Sequence, residues 1–394
     1  MSAGDRSPVI VAARRTAITT AGRAFAAHTV DALAAPVLAA VAAEVASPGL
    51  GVDDVVLGNC MGPGGDVARV AALRAGLGIE VPGVTVDRQC GSGLDAVMQA
   101  ASRVRAGDAA LVIAGGAESA STAPHRLRPD TGERYTRAPF APSGFADPDM
   151  GPAAEHLARV RGITRARQDA WAARSHARAA AAQAAGVFDA EIVPVDGVAR
   201  DDRPRASMDL ARLARFAPAF APASASLARD GARAGGTVTA GNSCGFSDGA
   251  AAMAVTTADV ARGLALPALQ VRAAAVAGGD PALPGLGAAP AARAALARAG
   301  MSVGDLGFVE ITEAFAAQLL AVSDDLGLDE ETISGDGGAI ALGHPWGASG
   351  AVLLVRLAAR MLAGAGGDVD GRAGLAACSI GGGQGIAMIV ERVA

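Results

Sequence analysis

An internal repeat constrains the fold of this chain more than any other feature of its sequence. In the first half, residues 84–88 predict a short strand that leads through Cys90 into an apolar helix, and residues 109–114 predict the next strand. In the second half, Ile333 leads through a glycine-rich turn into a helix at 351–362, and a strand at 374–377 follows. Each of these patterns is preceded, at a similar distance along the chain, by a short apolar strand, which is predicted at 54–58 in the first half and at 306–311 in the second. Self-similarity on this scale predicts a duplicated α/β unit.

The alternation of strands and helices is typical of a mainly parallel sheet with helices on both faces. The interval from 119 to 240 breaks the repeat, because several prolines there separate polar loops from a single long helix predicted at 153–186. We interpret this interval as an insertion that covers the substrate. With 394 residues, of which 51% are hydrophobic, the chain is long enough to bury a sizeable core.

The charge balance argues against several classes of partner. The formal net charge is −5, which argues against a nucleic-acid-binding face. All 34 basic residues are arginines, so no lysine nucleophile is possible. No apolar stretch approaches the length of a membrane span, and the N-terminus has no secretion signal pattern, which predicts a cytoplasmic protein. The four cysteines form no C-x-x-C pair, so we expect neither a disulfide framework nor a metal site.

Cys90 is the first candidate for catalysis. It lies between a predicted strand and the glycine-rich start of a helix, where unpaired N–H groups and a partial positive charge are expected to lower the pKa of a thiol. Gly91 and Gly93 allow the backbone to approach a ligand, and N–H groups there could stabilise an oxyanion. The alternative is an inert buried cysteine.

Two further side chains lie in glycine-rich turns of the second half. His344 ends the segment 337–344, which has little bulk to bury a histidine, so it is a candidate acid or base. Cys378 ends a predicted strand and precedes a loop at 379–385 that contains four glycines. Its thiol is a second candidate for proton transfer. For both residues a purely structural role is the alternative.

The segments 88–94, 114–119, 237–252, 337–350 and 378–385 resemble those of thiolases, in order and across essentially the whole chain. The resemblance implies a thiolase-like α/β fold in which duplicated βαβαβαββ halves form a five-layer α-β-α-β-α core with an inserted loop domain. The implied N-terminal core half is 1–119, completed by 241–265. The implied loop domain over the coenzyme A site is 120–240, and the C-terminal core half is 266–394.

The resemblance also implies an activity, namely acyl-CoA C-acyltransfer by condensation of two acyl-CoAs or by thiolysis of a 3-ketoacyl-CoA. Cys90 is then the acyl-accepting nucleophile, His344 activates it, and Cys378 moves the α-proton. The implied oxyanion donors are at Cys378 and Gly381, and whether position 380 contributes a donor is undecided. Coenzyme A is a substrate and product, and no cofactor is permanently bound. A homodimer is expected, with a tetramer as the alternative, because the segment 118–150 is shorter than the tetramer-forming loop of short-chain biosynthetic thiolases.

The implied coenzyme A contacts are less specific, and one catalytic position departs from the family. The expected contacts are Ser243, Cys244, Met150, Phe315 and one or both of Arg203 and Arg205. Thr312 stands where thiolases usually have an asparagine that positions a water in the enolate oxyanion hole. Threonine offers one hydroxyl and lacks the paired functions of an amide. Ser334 and Asp336 also replace common asparagines, so this corner of the pocket differs at more than one place.

Three other functions remain open from the sequence. The segment 241–245 matches the G-x-S-x-G pattern of α/β-hydrolases, which would make Ser243 the nucleophile. A related condensing enzyme would take acyl groups from a carrier protein. A thiolase-like scaffold subunit would have lost catalysis, although it would have no need to keep Cys90, His344 and Cys378 together.

Overall fold

The computed structural model describes residues 5–220, 236–362 and 372–393. The region between Phe220 and Gly236, where the likeness to thiolases is interrupted by extra residues, lies outside the described residues. The strands are β1 (Pro8–Arg15), β2 (Thr19–Thr20), β3 (Asp54–Gly58), β4 (Gly83–Val86), β5 (Leu111–Ser119), β6 (Arg126–Leu127), β7 (Arg134–Tyr135), β8 (Ser247–Thr257), β9 (Leu269–Gly278), β10 (Leu306–Ile311), β11 (Ala373–Ile380) and β12 (Gln384–Arg392).

The helices alternate with these strands in both halves. They are α1 (Val30–Glu44), α2 (Val67–Arg74), α3 (Ser92–Ala106), α4 (Met150–Arg161), α5 (Arg165–Ala184), α6 (Leu210–Leu213), α7 (Ala258–Leu264), α8 (Ala288–Ala299), α9 (Ala316–Leu326), α10 (Ala339–Leu342) and α11 (Trp346–Leu362). A short 3-10 turn, Gln89–Gly91, connects β4 to α3.

The strands form two half-sheets that meet edge to edge. The order is β10-β11-β12-β9-β1-β8-β5-β3-β4, and β2 pairs with β8. The halves join where Val9 and Ile10 of β1 pair with Gln270 and Leu269 of β9. Only β3–β4, β3–β5 and β10–β11 are parallel pairs among the described strands, so the prediction of a mainly parallel sheet is wrong. The sheet is mixed because β8 and β12 each run back antiparallel beside the preceding strand of their half.

Helices cover both faces of each half-sheet and produce five layers. The helices α1 and α2 pack together on the outer face of the first half-sheet, and α8 and α9 do the same on the second. Between the half-sheets, α3 and α11 pack against each other, α3 on β3, β5 and β8 and α11 on β5, β8, β10 and β11. The close approach of α3 and α11 depends on small residues, because a Cβ on Gly93 would lie 2.8 Å from the carbonyl oxygen of Gly347.

The two halves repeat the same order of elements, with one difference. The first runs β1-α1-β3-α2-β4-α3-β5-β8, and the second runs β9-α8-β10-α9-α11-β11-β12. In the second half, the strand that would correspond to β4 is reduced to a single bridge between Ile333 and Val309. The helix predicted at 351–362 begins earlier, at Trp346, so the glycine-rich turn itself forms its first turn.

The insertion contains two long helices instead of the single helix predicted at 153–186. The helix α4 ends at Gly162, whose φ of 65° lies in the left-handed region, and α5 begins after Thr164, whose side chain caps it. Both helices pack on α9 of the second half, and α5 also packs on α10. The insertion therefore lies over the loops that follow β10. The division of the chain at 119, 240 and 265 stays a prediction.

Candidate active site

Cys90 lies in a tightly held turn between β4 and α3. Gln89, which precedes it, has a φ of 47°, and its backbone N–H donates to the carboxylate of Asp87 at 2.8 Å. The Ser92 hydroxyl accepts from the backbone N–H of Arg88 at 2.8 Å and donates to the carbonyl of Gln89 at 2.6 Å. These bonds hold the turn in place despite the unfavourable backbone conformation of Gln89. The Cys90 side chain therefore lies at the start of α3.

The Cys90 thiol is protonated at neutral pH. Burial raises its pKa to about 11, although the backbone N–H groups of Cys90 and Gly381 donate to the sulfur and act in the opposite direction. The backbone N–H group at the start of α3 does lower this pKa, as the sequence predicts, but burial has the larger effect and the net shift is upward. A nucleophilic role for Cys90 consequently requires a base at the same site.

His344 supplies an imidazole in the neutral form. Burial lowers its pKa to about 4. The Ser349 hydroxyl donates to the carbonyl of Pro345 at 2.9 Å and lies 2.6 Å from Nδ1 of His344. The tautomer with the proton on Nδ1 satisfies both contacts, because the single hydroxyl hydrogen then goes to Pro345 and Nδ1 donates to Ser349. The lone pair on Nε2 is then free, and Nε2 is buried without a hydrogen-bond partner in the described part of the chain.

Cys378 and Thr312 form the second polar pair of the site. Oγ1 of Thr312 lies 3.0 Å from the Cys378 sulfur, and the Thr312 backbone N–H donates to the carbonyl of Ala377 at 3.1 Å. Burial raises the pKa of the Cys378 thiol to about 12, the Thr312 hydroxyl opposes this, and the nearby ionisable thiol of Cys90 adds a smaller rise. Both thiols are therefore protonated at neutral pH and lie within electrostatic reach of each other.

The loops that carry these residues meet at the junction of the two halves. The turn that contains Cys90 packs on the start of α11, which His344 precedes by two residues. Its next residue, Gly91, faces Ile380, since a Cβ there would lie 2.5 Å from the Ile380 side chain. The structure thus brings Cys90, Cys378, Thr312 and Gly381 together, with the turn of His344 beside them.

The segment 242–246 forms another wall of the site. The Cys244 backbone N–H donates to the carbonyl of Ala314 at 3.0 Å, and Ser243 forms an isolated antiparallel β-bridge with Phe315. Burial raises the pKa of the Cys244 thiol to about 12, and the charge of Cys90 raises it further. Cys244 is therefore within electrostatic reach of the candidate nucleophile, and Ser243 and Phe315 pair with each other next to it.

The hydrolase alternative does not fit the position of Ser243. Its hydroxyl donates to the carbonyl of Thr239 at 2.7 Å, within the same turn. A nucleophile elbow requires a strand that leads directly into a helix, whereas Ser243 precedes β8. The G-x-S-x-G match at 241–245 is therefore a feature of a turn.

The remaining predicted contacts lie at the edge of the site. Met150 is the half-buried first residue of α4, and Gly151 after it lies against the ring of Phe220, which packs edge-on to Phe315 at 6.2 Å between ring centroids. Arg205 is exposed. Arg203 is half-buried against Gly245.

Glu118 is a buried residue of this region to which sequence reasoning assigned no role. Its carboxylate accepts from the Asn59 side chain at 2.9 Å and from the backbone N–H groups of Cys60 at 3.1 Å, Met61 at 3.1 Å and Gly347 at 3.0 Å. Burial raises its pKa, and these donors oppose that effect. Glu118 therefore holds the ends of β3 and β5 against the first turn of α11.

Glu313 is a second buried carboxylate that sequence reasoning did not interpret. It accepts from the indole N–H of Trp171 at 2.9 Å, from the Ser175 hydroxyl at 2.7 Å and from the Ile340 backbone N–H at 3.1 Å. These bonds tie the residue after Thr312 to the insertion and to α10. Thr312 is positioned by this anchor.

A small cavity of about 20 Å³ adjoins Thr312 and is lined by residues of both halves, Ile18 among them. Glu310, Ser349 and Arg356 contribute polar atoms to its lining. Its volume is sufficient for about one water molecule. Burial raises the pKa of Glu310 to about 7, while Arg360 and Arg356 lower it. The pocket therefore has room and polar partners beside the position where thiolases usually have asparagine.

Among residues 5–220, 236–362 and 372–393, no group of three or more His, Cys, Asp or Glu side chains is arranged to hold a metal ion. None of the helices in the same ranges has both the length and the apolar character needed to cross a membrane.

Comparison with known proteins decides the family. The model of the thiolase N-terminal domain matches residues 8–259, and that of the thiolase C-terminal domain matches residues 266–392. The chain belongs to the thiolase family. Its relatives include the acetyl-CoA acetyltransferases of Pseudomonas aeruginosa, 40% identical, and of Escherichia coli, 41% identical, each over 98% of this chain and 99% of the relative.

The solved structures agree with this thiolase assignment. The crystal structure of the Bacillus anthracis acetyl-CoA acetyltransferase superposes with a TM-score of 0.89, at 35% identity and with 100% of both chains covered. The predicted fold class is confirmed. This thiolase is an acyltransferase, as predicted from the sequence.

Proposed function

We propose that this thiolase transfers acyl groups between coenzyme A thioesters through an acyl intermediate on Cys90. Its substrates and products are acyl-CoAs, with coenzyme A itself entering or leaving at each transfer. The observation that carries the proposal is the convergence of the Cys90 thiol, the Cys378–Thr312 pair and the Gly381 N–H group in one site, with the turn of His344 beside them. The homodimer and the cytoplasmic location stay predictions.

The first step, written for cleavage of a 3-ketoacyl-CoA, forms the acyl enzyme. The Cys90 proton moves to Nε2 of His344 as the sulfur attacks the 3-keto carbon. The backbone N–H groups that face the Cys90 sulfur, among them that of Gly381, are placed to donate to the oxygen that becomes negative. The bond between carbons 2 and 3 then breaks, and its electron pair leaves with the departing acyl-CoA as an enolate.

The second thiol completes the carbon–carbon cleavage. Cys378 donates its proton to carbon 2 of the enolate and becomes a thiolate, for which its raised pKa and its contact with Thr312 are suited. The proton that His344 took from Cys90 then passes to the Cys378 thiolate, and incoming coenzyme A gives its own thiol proton to Nε2 of His344 as its sulfur attacks the acyl group on Cys90. Cys90 leaves and recovers its proton from His344. Condensation is the reverse of these steps.

Trapping the acyl enzyme tests this proposal. After incubation with acetyl-CoA and rapid acid quench, mass spectrometry of peptides is expected to find one acetyl group on Cys90 and none on Cys60, the matched thiol near the same turn. Acetyl-acyl-carrier protein in a parallel reaction tests the alternative condensing enzyme. Acylation of Cys90 by the carrier protein alone, or acylation by neither donor as expected for a scaffold, would contradict the proposal.

Thr312→Asn is expected to raise the condensation rate by about tenfold. The longer amide can donate into the enolate site, and the cavity beside Thr312 accommodates it. One added hydrogen bond in the transition state contributes about 1.4 kcal/mol, which corresponds to that factor. The measurement is the initial rate of acetoacetyl-CoA formation, with Thr312→Val as the control that lacks any donor. An unchanged rate in Thr312→Asn would mean that another group already serves the enolate oxygen.

A further inference from the structure

Arg203 has no polar partner in the described part of the chain. It makes no hydrogen bond and no ion pair there, and its Nε is buried. Its guanidinium lies flat enough against Gly245 that a Cβ at this glycine would clash with Nη1. Arginines elsewhere in the chain, such as Arg15 and Arg167, are paired with carboxylates. A half-buried guanidinium without an acceptor is costly unless a ligand supplies one.

The guanidinium lies beside the loop that lines the reacting centre. The carbonyl of Gly245 accepts a hydrogen bond from the backbone N–H of His344 at 3.2 Å. Cys244, the preceding residue, is within electrostatic reach of both Cys90 and Arg203. An acyl chain attached to Cys90 can therefore extend along Cys244 toward Arg203.

We propose that Arg203 binds a carboxylate at the end of the substrate acyl chain, so that the preferred substrates are 3-ketoacyl-CoAs derived from dicarboxylic acids. The inference rests on the proposed thiolase function. A guanidinium presents a fork of N–H donors that matches the two oxygens of a carboxylate, and a half-buried site strengthens this pairing.

A phosphate of coenzyme A could satisfy the same guanidinium, but its position favours a carboxylate. Arg203 contacts Gly245, directly before the segment that packs on His344, where the thioester reacts. The phosphates of coenzyme A are separated from the thioester by the whole pantetheine arm. Arg205, two residues further along, is exposed and is the candidate that remains for the phosphates.

Two six-carbon substrates test the proposal. 3-Ketoadipyl-CoA and 3-ketohexanoyl-CoA differ only in a terminal carboxylate or methyl group. The wild-type ratio of kcat/KM for the first over the second is expected to exceed about 10, and Arg203→Gln is expected to lower this ratio by about 30-fold, as for loss of a charged hydrogen-bonded pair. Arg203→Lys should give an intermediate ratio. Arg200→Gln, at an exposed arginine in the same loop, is the control and should leave the ratio unchanged.

The outcomes separate this inference from the function on which it rests. Failure of the wild type to cleave either substrate would overturn the proposed function. Cleavage of both substrates with a wild-type ratio below 1, or with a ratio that Arg203→Gln does not change, would overturn the role of Arg203 alone. A parallel assay compares coenzyme A with dephospho-coenzyme A as the thiol. If Arg203→Gln lost the preference for coenzyme A over dephospho-coenzyme A while the substrate ratio stayed unchanged, the guanidinium would be assigned to a phosphate. This result would also overturn the inference.

Discussion

Cys90→Ala is expected to lower kcat/KM for thiolysis of acetoacetyl-CoA by at least about 10⁴-fold, because no covalent intermediate can form without the sulfur. The loss should be in kcat, since Cys90 is not needed to hold the pantetheine arm. The fold should persist, because the turn is held by Asp87 and Ser92, not by the thiol. The measurement is steady-state thiolysis, with the thermal unfolding midpoint of the same preparation as a check on folding.

Cys60→Ala is the matched control for this experiment. Its sulfur lies 3.6 Å from the Ser92 hydroxyl, at the same turn, and it has no step in the proposed mechanism. The variant should keep kcat/KM within about threefold of the wild type, as is usual for a small change outside the reacting groups. Retained turnover in Cys90→Ala combined with its loss in Ser243→Ala would reverse the assignment and favour a hydrolase-type nucleophile.

The sequence predicted the elements of the two halves well where hydrophobic patterning is strict. The strands at 54–58 and 306–311 were predicted with the bounds that the structure shows, since each is a short apolar run between polar residues. The candidate site residues could also be predicted, because a duplicated α/β unit places its glycine-rich turns at the ends of neighbouring strands. Cys90, Cys378 and Thr312 are adjacent for this reason.

Other features could not be predicted because they depend on tertiary packing. Burial raises the pKa of Cys90, whereas the sequence shows only the helix start, whose backbone N–H group acts in the opposite direction. The break between α4 and α5 depends on Gly162, which an alanine-rich helical pattern conceals. β8 runs antiparallel to β5 because the chain returns to the sheet from a long insertion. No local sequence pattern indicates this direction.

The buried carboxylates Glu118 and Glu313 were overlooked although the sequence contains a signal for them. Glu118 is the last residue but one of the apolar strand β5, and Glu313 follows the apolar strand β10 by two residues. A charged side chain at the end of a buried strand is itself buried only where it has partners. Both bind backbone N–H groups of glycine-rich turns. An acidic residue at the end of a buried strand, opposite a turn with free N–H groups, is therefore a predictor of an anchor for that turn.

Cys378→Ala should separate the two chemical stages of the reaction. Thiolysis of acetoacetyl-CoA and condensation of acetyl-CoA are expected to fall by about 10³-fold, within the range for loss of a positioned acid or base, because carbon 2 loses its proton donor and acceptor. Acylation of Cys90 moves a proton only between Cys90, His344 and coenzyme A. The exchange of labelled coenzyme A into acetyl-CoA should therefore continue.

The exchange reaction is the internal control, since it uses the same protein, the same acyl donor and the same nucleophile. His344→Ala should behave differently and lower exchange together with thiolysis, because Nε2 takes the proton of a thiol whose pKa is about 11. If exchange in Cys378→Ala fell as steeply as condensation, Cys378 would have to act in acylation too. The leaving coenzyme A would then take its proton from Cys378, and the free Nε2 of His344 would serve the thioester oxygen instead.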